Sequence, residues 1–245
     1  EHFCGGYREY WENVEGLGGS EGPIEIHFID EVLPGYFWLF PVKEGVVNVG
    51  CGMLISEQRK QKKKGKKSSL KQIQRWVIEE HPVFKKRFAN ATLVPNSQKG
   101  WQLPFGSPRK DAPSYQPRRA AMAGAMAVGD AASLVDPFSG EGIGNALLTA
   151  KMSSRHFDKE LHSDGFPEDA AVAYMEEMWG ELGKELTNSK RLQRMMKFKR
   201  ITNLFIKKAS RKEEIGKMMS EMIASKDAQE ALWSRWFMFK TLILP

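Results

Sequence analysis

Cysteine is scarce in this sequence: 245 residues hold only Cys4 and Cys51. Two thiols make no disulfide framework, so the chemistry expected is that of a reducing compartment. No apolar run reaches the ~18 residues that a spanning helix needs, and no signal peptide is expected. Histidine and cysteine never recur at metal-ligand spacing, so no metal site is predicted; His27 stands alone in an otherwise strand-like region, on its polar and solvated side. A G-x-G-x-x-G phosphate loop is also missing: Gly16, Gly18 and Gly19 fail the spacing, as do Gly50 and Gly52. No internal repeat appears.

What is present is positive charge and aromatic rings. Lys and Arg outnumber Asp and Glu by 37 to 30, a net charge of +7 that favours an anionic partner such as a membrane surface, a phosphorylated ligand or nucleic acid. A hydrophobic content of 41% supports an ordinary globular core. The first third reads as sheet. Phe3–Val14 is an aromatic-rich strand, Ile24–Ile29 alternates, and Tyr36–Val42 and Val46–Ile55 form an antiparallel hairpin around Lys43-Glu44-Gly45. The run from Glu57 to Lys67 is expected to be a solvated loop, followed by a helix through Leu70, Ile73, Trp76 and Val77. Trp101–Phe105 is a short strand, and the proline-containing stretch 107–117 a loop. Beyond Ala150 the chain reads as helical, with a long helix starting at Pro167, and the methionines there serve packing.

Two stretches carry chemistry. In the first, an apolar strand from Ala120 to Val128 is expected to deliver the chain to Gly129-Asp130. A loop with Asp136-Pro137 follows, then Gly140, Gly142 and Gly144 at alternate positions, and a helical pattern from Glu141 onward. An ionised Asp130 at a strand end accepts hydrogen bonds from sugar-alcohol hydroxyls. Glycines let backbone approach a flat ring, and the amides opening a helix suit the charge on the N1/C2 side of a reduced flavin. Pro137 stiffens the turn. The plainer alternative is a glycine-rich turn into a core helix. In the second stretch, Tyr36, Trp38 and Phe40 fall on one side of a strand, and Gly50 and Gly52 sit on its neighbour. Such a row either fills a core or walls a long apolar site whose glycines leave room for a bulky group.

Residues 129–143, G-D-A-A-x-x-x-D-P-x-x-G-E-G-I, resemble the second flavin fingerprint of the geranylgeranyl reductase family, within the p-hydroxybenzoate-hydroxylase-like flavoproteins. Tyr36-Phe37-Trp38-Leu39-Phe40-Pro41, then eight residues, then Gly50-Cys51-Gly52, resembles the Y-x-W-x-F-P…G-x-G signature at that family's substrate cavity, and Arg8 and Tyr10 fit its R-x-Y. The resemblance implies an α+β fold. An antiparallel substrate-domain sheet with helices (1–118) is followed by the returning strand–helix of an FAD-binding Rossmann-like domain (119–165) and a C-terminal helical region (166–245). Because the dinucleotide-binding opening of that fold is missing, the chain reads as the C-terminal part of a longer protein.

The implied activity is FAD-dependent reduction of geranylgeranyl-type carbon–carbon double bonds, by hydride from reduced flavin N5. Gly129, Asp130, Pro137, Gly140, Glu141, Gly142 and Ile143 are the implied cofactor residues. Tyr36, Trp38, Phe40, Pro41, Gly50 and Gly52 are those for substrate. No proton donor is assigned, and Cys51 reads as a small buried residue. The implied partners are a prenylated lipid or prenyl diphosphate and an electron donor, NADPH or ferredoxin-like, with no nucleic acid. A monooxygenase or halogenase of the same fold, a quinone-linked electron-transfer dehydrogenase, and a fragment inactive alone remain alternatives. The protein is expected in the cytoplasm, on the inner face of the membrane. Leu232, Trp233, Trp236, Phe237 and Phe239, with Arg235 and Lys240, suggest a terminal helix lying in the interface.

Overall fold

A computed structural model describes residues 2–17, 22–43, 45–107, 118–209 and 211. The proposed interfacial helix near the C-terminus lies outside them, as does most of the loop expected over 107–117. The chain divides into two compact units, Phe3–Leu103 and the residues from Pro104 onward. Together they are α+β.

The first unit is an antiparallel sheet with helices on one face. Strands β1 (Phe3–Glu12), β2 (Glu25–His27), β3 (Tyr36–Lys43), β4 (Val46–Leu54) and β5 (Thr92–Leu93) run in the order β2-β3-β4-β1-β5, and β6 (Lys99–Pro104) also pairs with β1. Side chains alternate, so the register divides them cleanly. Phe37, Leu39, Val47, Val49, Cys51, Met53 and Trp11 point to one face and are buried there. Helix α2 (Leu70–Glu79) and the short turn α3 (Phe84–Arg87) cover that face with Ile73, Val77, Ile78 and Phe84. A buried carboxylate ties sheet to helix. Glu9 accepts hydrogen bonds from the Tyr7 hydroxyl at 2.9 Å and from Trp11 Nε1 and Gln74 Nε2, both at 3.0 Å. Such a group is tolerable because each donor finds it.

Two expectations for this unit are corrected. His27 is not on the solvated side. Its neighbour across the strand pair is Phe37, its ring meets Phe84 edge-on at 4.8 Å, and Nε2 lies 2.8 Å from Glu25. The polar residues of β2 face the helices because they hold one another there: Arg87 donates to both carboxylate oxygens of Glu25, at 2.6 and 2.9 Å. The charged run is not a loop. Residues Ile55–Lys63 form helix α1 directly after β4, without a single buried residue. Lys, Arg, Gln and Glu are good helix formers, and Lys60, Lys62 and Lys63 in the last turn complement the negative end of the dipole.

The Glu25–Arg87 pair predicts a pH dependence. The Arg87 hydrogen bond holds the Glu25 carboxyl below its ordinary 4.5, against the opposing effect of burial, with His27 assisting. A depressed folded value means stability that is present above 4.5 and lost as pH falls through the folded value. Glu25→Gln is expected to cost roughly 1.5 kcal/mol at neutral pH, as for a hydrogen bond to a charged group. In urea melts, its deficit against the parent should shrink toward zero on acidification. A deficit independent of pH would show that packing, not charge, is lost.

In the second unit the expected strand Ala120–Val128 is replaced by a small hairpin. Strands β7 (Ala121–Met122) and β8 (Ala125–Met126) pair across Gly124, whose φ of +81° is left-handed. Alanine has little strand preference, and a glycine free to turn the chain breaks the run. Helix α4 (Ile143–His156) starts two residues after the expected Glu141. Helix α5 (Glu168–Met195) begins right after Pro167, as the sequence predicts, and α6 (Lys199–Ala209) follows. Ala171, Tyr174, Met178 and Leu182 form the buried stripe of α5, while Tyr174 Oη bonds the Ala127 carbonyl at 2.9 Å and Trp179 Nε1 that of Arg118 at 3.1 Å. No helix among the described residues is long and apolar enough to cross a membrane.

Candidate functional site

The face of the sheet opposite α2 carries the aromatic row. Tyr36, Trp38 and Phe40 of β3 lie beside Gly52, Gly50 and Asn48 of β4, and these in turn beside Gly6, Arg8 and Tyr10 of β1. Where Phe37 and Leu39 are fully buried, Tyr36, Trp38 and Phe40 are only half-buried. The rings touch in series. Trp38 stacks on Phe40 at 5.8 Å and 23°, and meets Tyr36 edge-on at 5.9 Å. Pro41 ends the row at a bulge between Pro41 and Lys43.

The two glycines of β4 act differently. A Cβ on Gly50 would lie 2.2 Å from the Trp38 indole and 2.6 Å from the Tyr7 carbonyl, so its missing side chain accommodates the protein's own ring. At Gly52 the nearest atom, Cys4 Sγ, is at 3.4 Å, and at Gly6 only the Trp101 carbonyl comes within 4.0 Å. The bare floor of this face is therefore Gly6 and Gly52, flanked by Trp38.

Two residues outside the sequence-level set complete the arrangement. Asn48 Oδ1 accepts from Trp38 Nε1 at 3.0 Å, fixing the indole's orientation. Ser97 receives Arg8 Nη1 on its carbonyl at 2.8 Å, while its hydroxyl meets the Tyr10 amide at 3.0 Å. Arg8 also lies over the Tyr10 ring at 4.4 Å. The alternation of β4 placed Asn48 on the aromatic face; no sequence signal marked Ser97. Both cysteines are buried, with Cys4 pushed by burial to about 12 and Cys51 raised by burial as well. Neither is poised to exchange a proton near neutral pH.

The glycine loop of the second unit is built around a buried acid. Asp136 Oδ1 accepts from the amides of Phe138 at 3.0 Å and Ser139 at 2.7 Å and from the Ser139 hydroxyl at 2.8 Å, while burial pushes this carboxyl up. The Asp136 amide bonds the Glu141 carbonyl at 2.7 Å and closes the turn. Gly140 sits inside it with φ +75°. Pro137 is buried, its carbonyl accepting from Gln193 Nε2 of α5. Gly129 has φ +52° and would place a Cβ 2.7 Å from that of Ala146, so the chain passes directly against α4. Gly129 and Pro137 thus support the loop from inside.

Asp130, Glu141, Gly142 and Ile143 form its outer side. Asp130 is exposed in the short turn Gly129–Ala132, and a Cβ on Gly142 would stand 3.2 Å from its Oδ1. Glu141 Oε1 accepts the Gly144 amide at 2.6 Å and so caps the start of α4. The amides of Gly142 and Ile143 have no acceptor among the described residues. One turn apart on the helix, Ile143 and Leu147 are 78% and 69% exposed, an apolar strip beside those donors. Free amides, a close-approach glycine and exposed apolar surface together fit a flat, hydrogen-bonding ring system. No group of three or more His, Cys, Asp or Glu able to hold a metal occurs among the described residues.

Residues 5–90 match the family model of the geranylgeranyl reductase catalytic domain. The chain is 29% identical over 185 residues to a digeranylgeranylglycerophospholipid reductase of Methanococcus aeolicus, covering 76% of this chain and 40% of that protein. To a menaquinone reductase of Mycolicibacterium smegmatis it is 30% identical over 156 residues, covering 59% and 30%. In fold it is similar to a geranylgeranyl bacteriochlorophyll reductase-like protein of Thermoplasma acidophilum. That match has a TM-score of 0.68 and 18% identity, over 98% of this chain and 54% of the other. The flavin-dependent halogenase CmlS matches with a TM-score of 0.53 and 16% identity, over 76% and 30%.

Proposed function

We propose, from the chain's membership of the geranylgeranyl reductase family, that it forms part of an FAD-dependent reductase of isoprenoid double bonds. The observation that carries this reading is the half-open aromatic face of Tyr36, Trp38 and Phe40, within the residues that match the reductase catalytic domain. A prenyl chain offers only apolar surface and alkene π-electrons, and a continuous row of rings supplies matching contact with few polar demands. The curated relatives are named for reduction of prenylated lipids and quinones, which share such chains.

The outer side of the glycine loop is the proposed seat of the flavin. Asp130 would accept from ribitol hydroxyls, and the Gly142 and Ile143 amides would donate to the ring carbonyl. Ile143 and Leu147 would cover the ring's apolar part. Glu141 would support the flavin seat from the side, its carboxylate accepting the Gly144 amide and capping the start of α4. When bound, reduced FAD supplies a hydride from N5 to one alkene carbon while the other carbon takes a proton. An unactivated alkene gives acids little to act on, so the protein's task is placement and exclusion of water.

The test is anaerobic incubation of the protein with reduced FAD and a digeranylgeranyl lipid, followed by mass spectrometry. A gain of two hydrogens per double bond is expected. A gain of one oxygen under air, with no hydrogenation, would replace this reading by the monooxygenase one. For the flavin seat, Asp130→Ala is expected to weaken FAD binding about tenfold or more, as for loss of a charge-assisted hydrogen bond. Unchanged affinity in a fluorescence-quenching titration would remove Asp130 from the site.

A further inference from the structure

The helix–turn–helix segment from α1 to α2, called the hairpin for its order along the chain, carries side chains that neither packing nor the proposed reaction uses. Arg59, Lys60, Lys62 and Lys63 of α1, Lys64, Lys66 and Lys67 of the connection, and Lys71 and Arg75 of α2 are all exposed. Lys60 pairs with Glu57 at 2.9 Å and Arg75 with Glu79 at 3.2 Å. Lys62, Lys63, Lys64, Lys66, Lys67 and Lys71 have no carboxylate within salt-bridge distance among the described residues. Like charges so close in sequence repel one another within a Debye length of about 8 Å, and α1 has no fully buried residue to offset that. The inner side of α1 is half-buried, Gln58 and Gln61 donating to the Met53 and Glu31 carbonyls at 3.1 and 2.9 Å, which leaves its cations on the outer side for solvent or an external partner.

The hairpin also holds one aromatic side chain. Trp76 is half-buried, packed against the core of the first unit. With Lys67, Lys71, Gln72, Arg75 and Glu80 it lines an open groove of about 420 Å³. The Lys67 ammonium stands 5.6 Å from the indole centroid. Cations around a wet-edged tryptophan are the composition of an interfacial anchor.

We propose that this hairpin docks the protein on an anionic bilayer, its lysines contacting lipid phosphates and the Trp76 groove receiving a headgroup. Nine exposed cations distributed over residues 59–75 suit an extended charged surface better than one compact anion. Single-stranded nucleic acid is disfavoured because it is held by stacking its bases on several free rings. Trp76 is the only ring in residues 55–80, and Lys67 already covers it. The contact follows from charge and exposure and holds whether or not the protein reduces alkenes.

Co-sedimentation with vesicles tests it. The protein is expected to bind phosphatidylcholine vesicles containing phosphatidylglycerol, to release them as salt rises, and to ignore pure phosphatidylcholine. Each basic residue near such a surface contributes about fivefold in binding. Replacing Lys62, Lys63, Lys66 and Lys67 together with glutamine should therefore weaken partition at least tenfold. A control with the same charge loss elsewhere, at Lys43, Lys99, Lys151 and Lys159, should retain most binding. Equal binding by the hairpin variant and the parent overturns the proposal, as does equal loss in the control. So does tight binding of poly(U) by a protein that does not bind the anionic vesicles.

Discussion

Gly35→Ala is expected to unfold the sheet unit or lower its melting temperature by roughly 6–12 °C, the equivalent of about 3 kcal/mol in a chain of this size. Its Cβ would lie 1.8 Å from the Gly52 carbonyl oxygen and 2.7 Å from its carbon, and 3.1 Å from the Val32 carbonyl. All three are backbone atoms. No rotamer change relieves such a clash; only separating the turn from β4 does, at a cost at or above the usual 1–3 kcal/mol of overpacking. The turn also delivers Tyr36, the first ring of the aromatic row. Gly6→Ala is the control, because its nearest neighbour is 4.0 Å away and strand glycines are weakly destabilising in any case. Thermal melts of the two variants should differ clearly. Equal melting would mean that the turn can retreat from β4 freely.

Trp38→Ala is expected to lower kcat/KM for a prenyl substrate about 100-fold while flavin content stays constant, the scale of loss that accompanies misplacement of a reacting group. It removes the ring that touches both Tyr36 and Phe40, so the row loses continuity as well as area. Trp38→Phe should recover most of the activity because it restores apolar surface without the Asn48 bond. Asn48→Ala should fall between the two, as it frees the indole to tilt. Full activity in Trp38→Ala would show that this face is not the substrate wall. If that variant fails to fold, Asn48→Ala carries the test, and a parent-like rate in it would have the same meaning.

The site was legible in the sequence to the extent that it depends on period. Tyr36, Trp38 and Phe40 alternate with Phe37 and Leu39, and a strand of period two must separate them, whichever face is covered. The start of α5 was equally legible, since Pro167 and an apolar stripe at helical spacing announce it. Interactions that depend on tertiary contact were not. His27 reads as polar and lies under Phe84 because Glu25 and Arg87 satisfy their own charges beside it. Asn48 and Ser97 matter through partners 10 and 87 or more residues away. The hairpin at 121–126 escaped because alanine carries almost no pattern. Helix α1 escaped because hydrophobic periodicity is silent on a helix with no fully buried residue.

The position of the Trp38 indole over Gly50 makes these two sites a single unit of inheritance. Any residue larger than glycine at 50 collides with the Trp38 indole and with the Tyr7 carbonyl behind it, 2.6 Å from the added Cβ. Substitution is therefore ordered: 38 must shrink and β1 must draw back at Tyr7 before 50 can grow, and growth at 50 first meets both obstacles at once. A double-mutant cycle with Trp38→Leu and Gly50→Ala should show the pair less damaging than the sum of the singles. Among relatives, alanine at 50 should occur only where 38 has lost its indole.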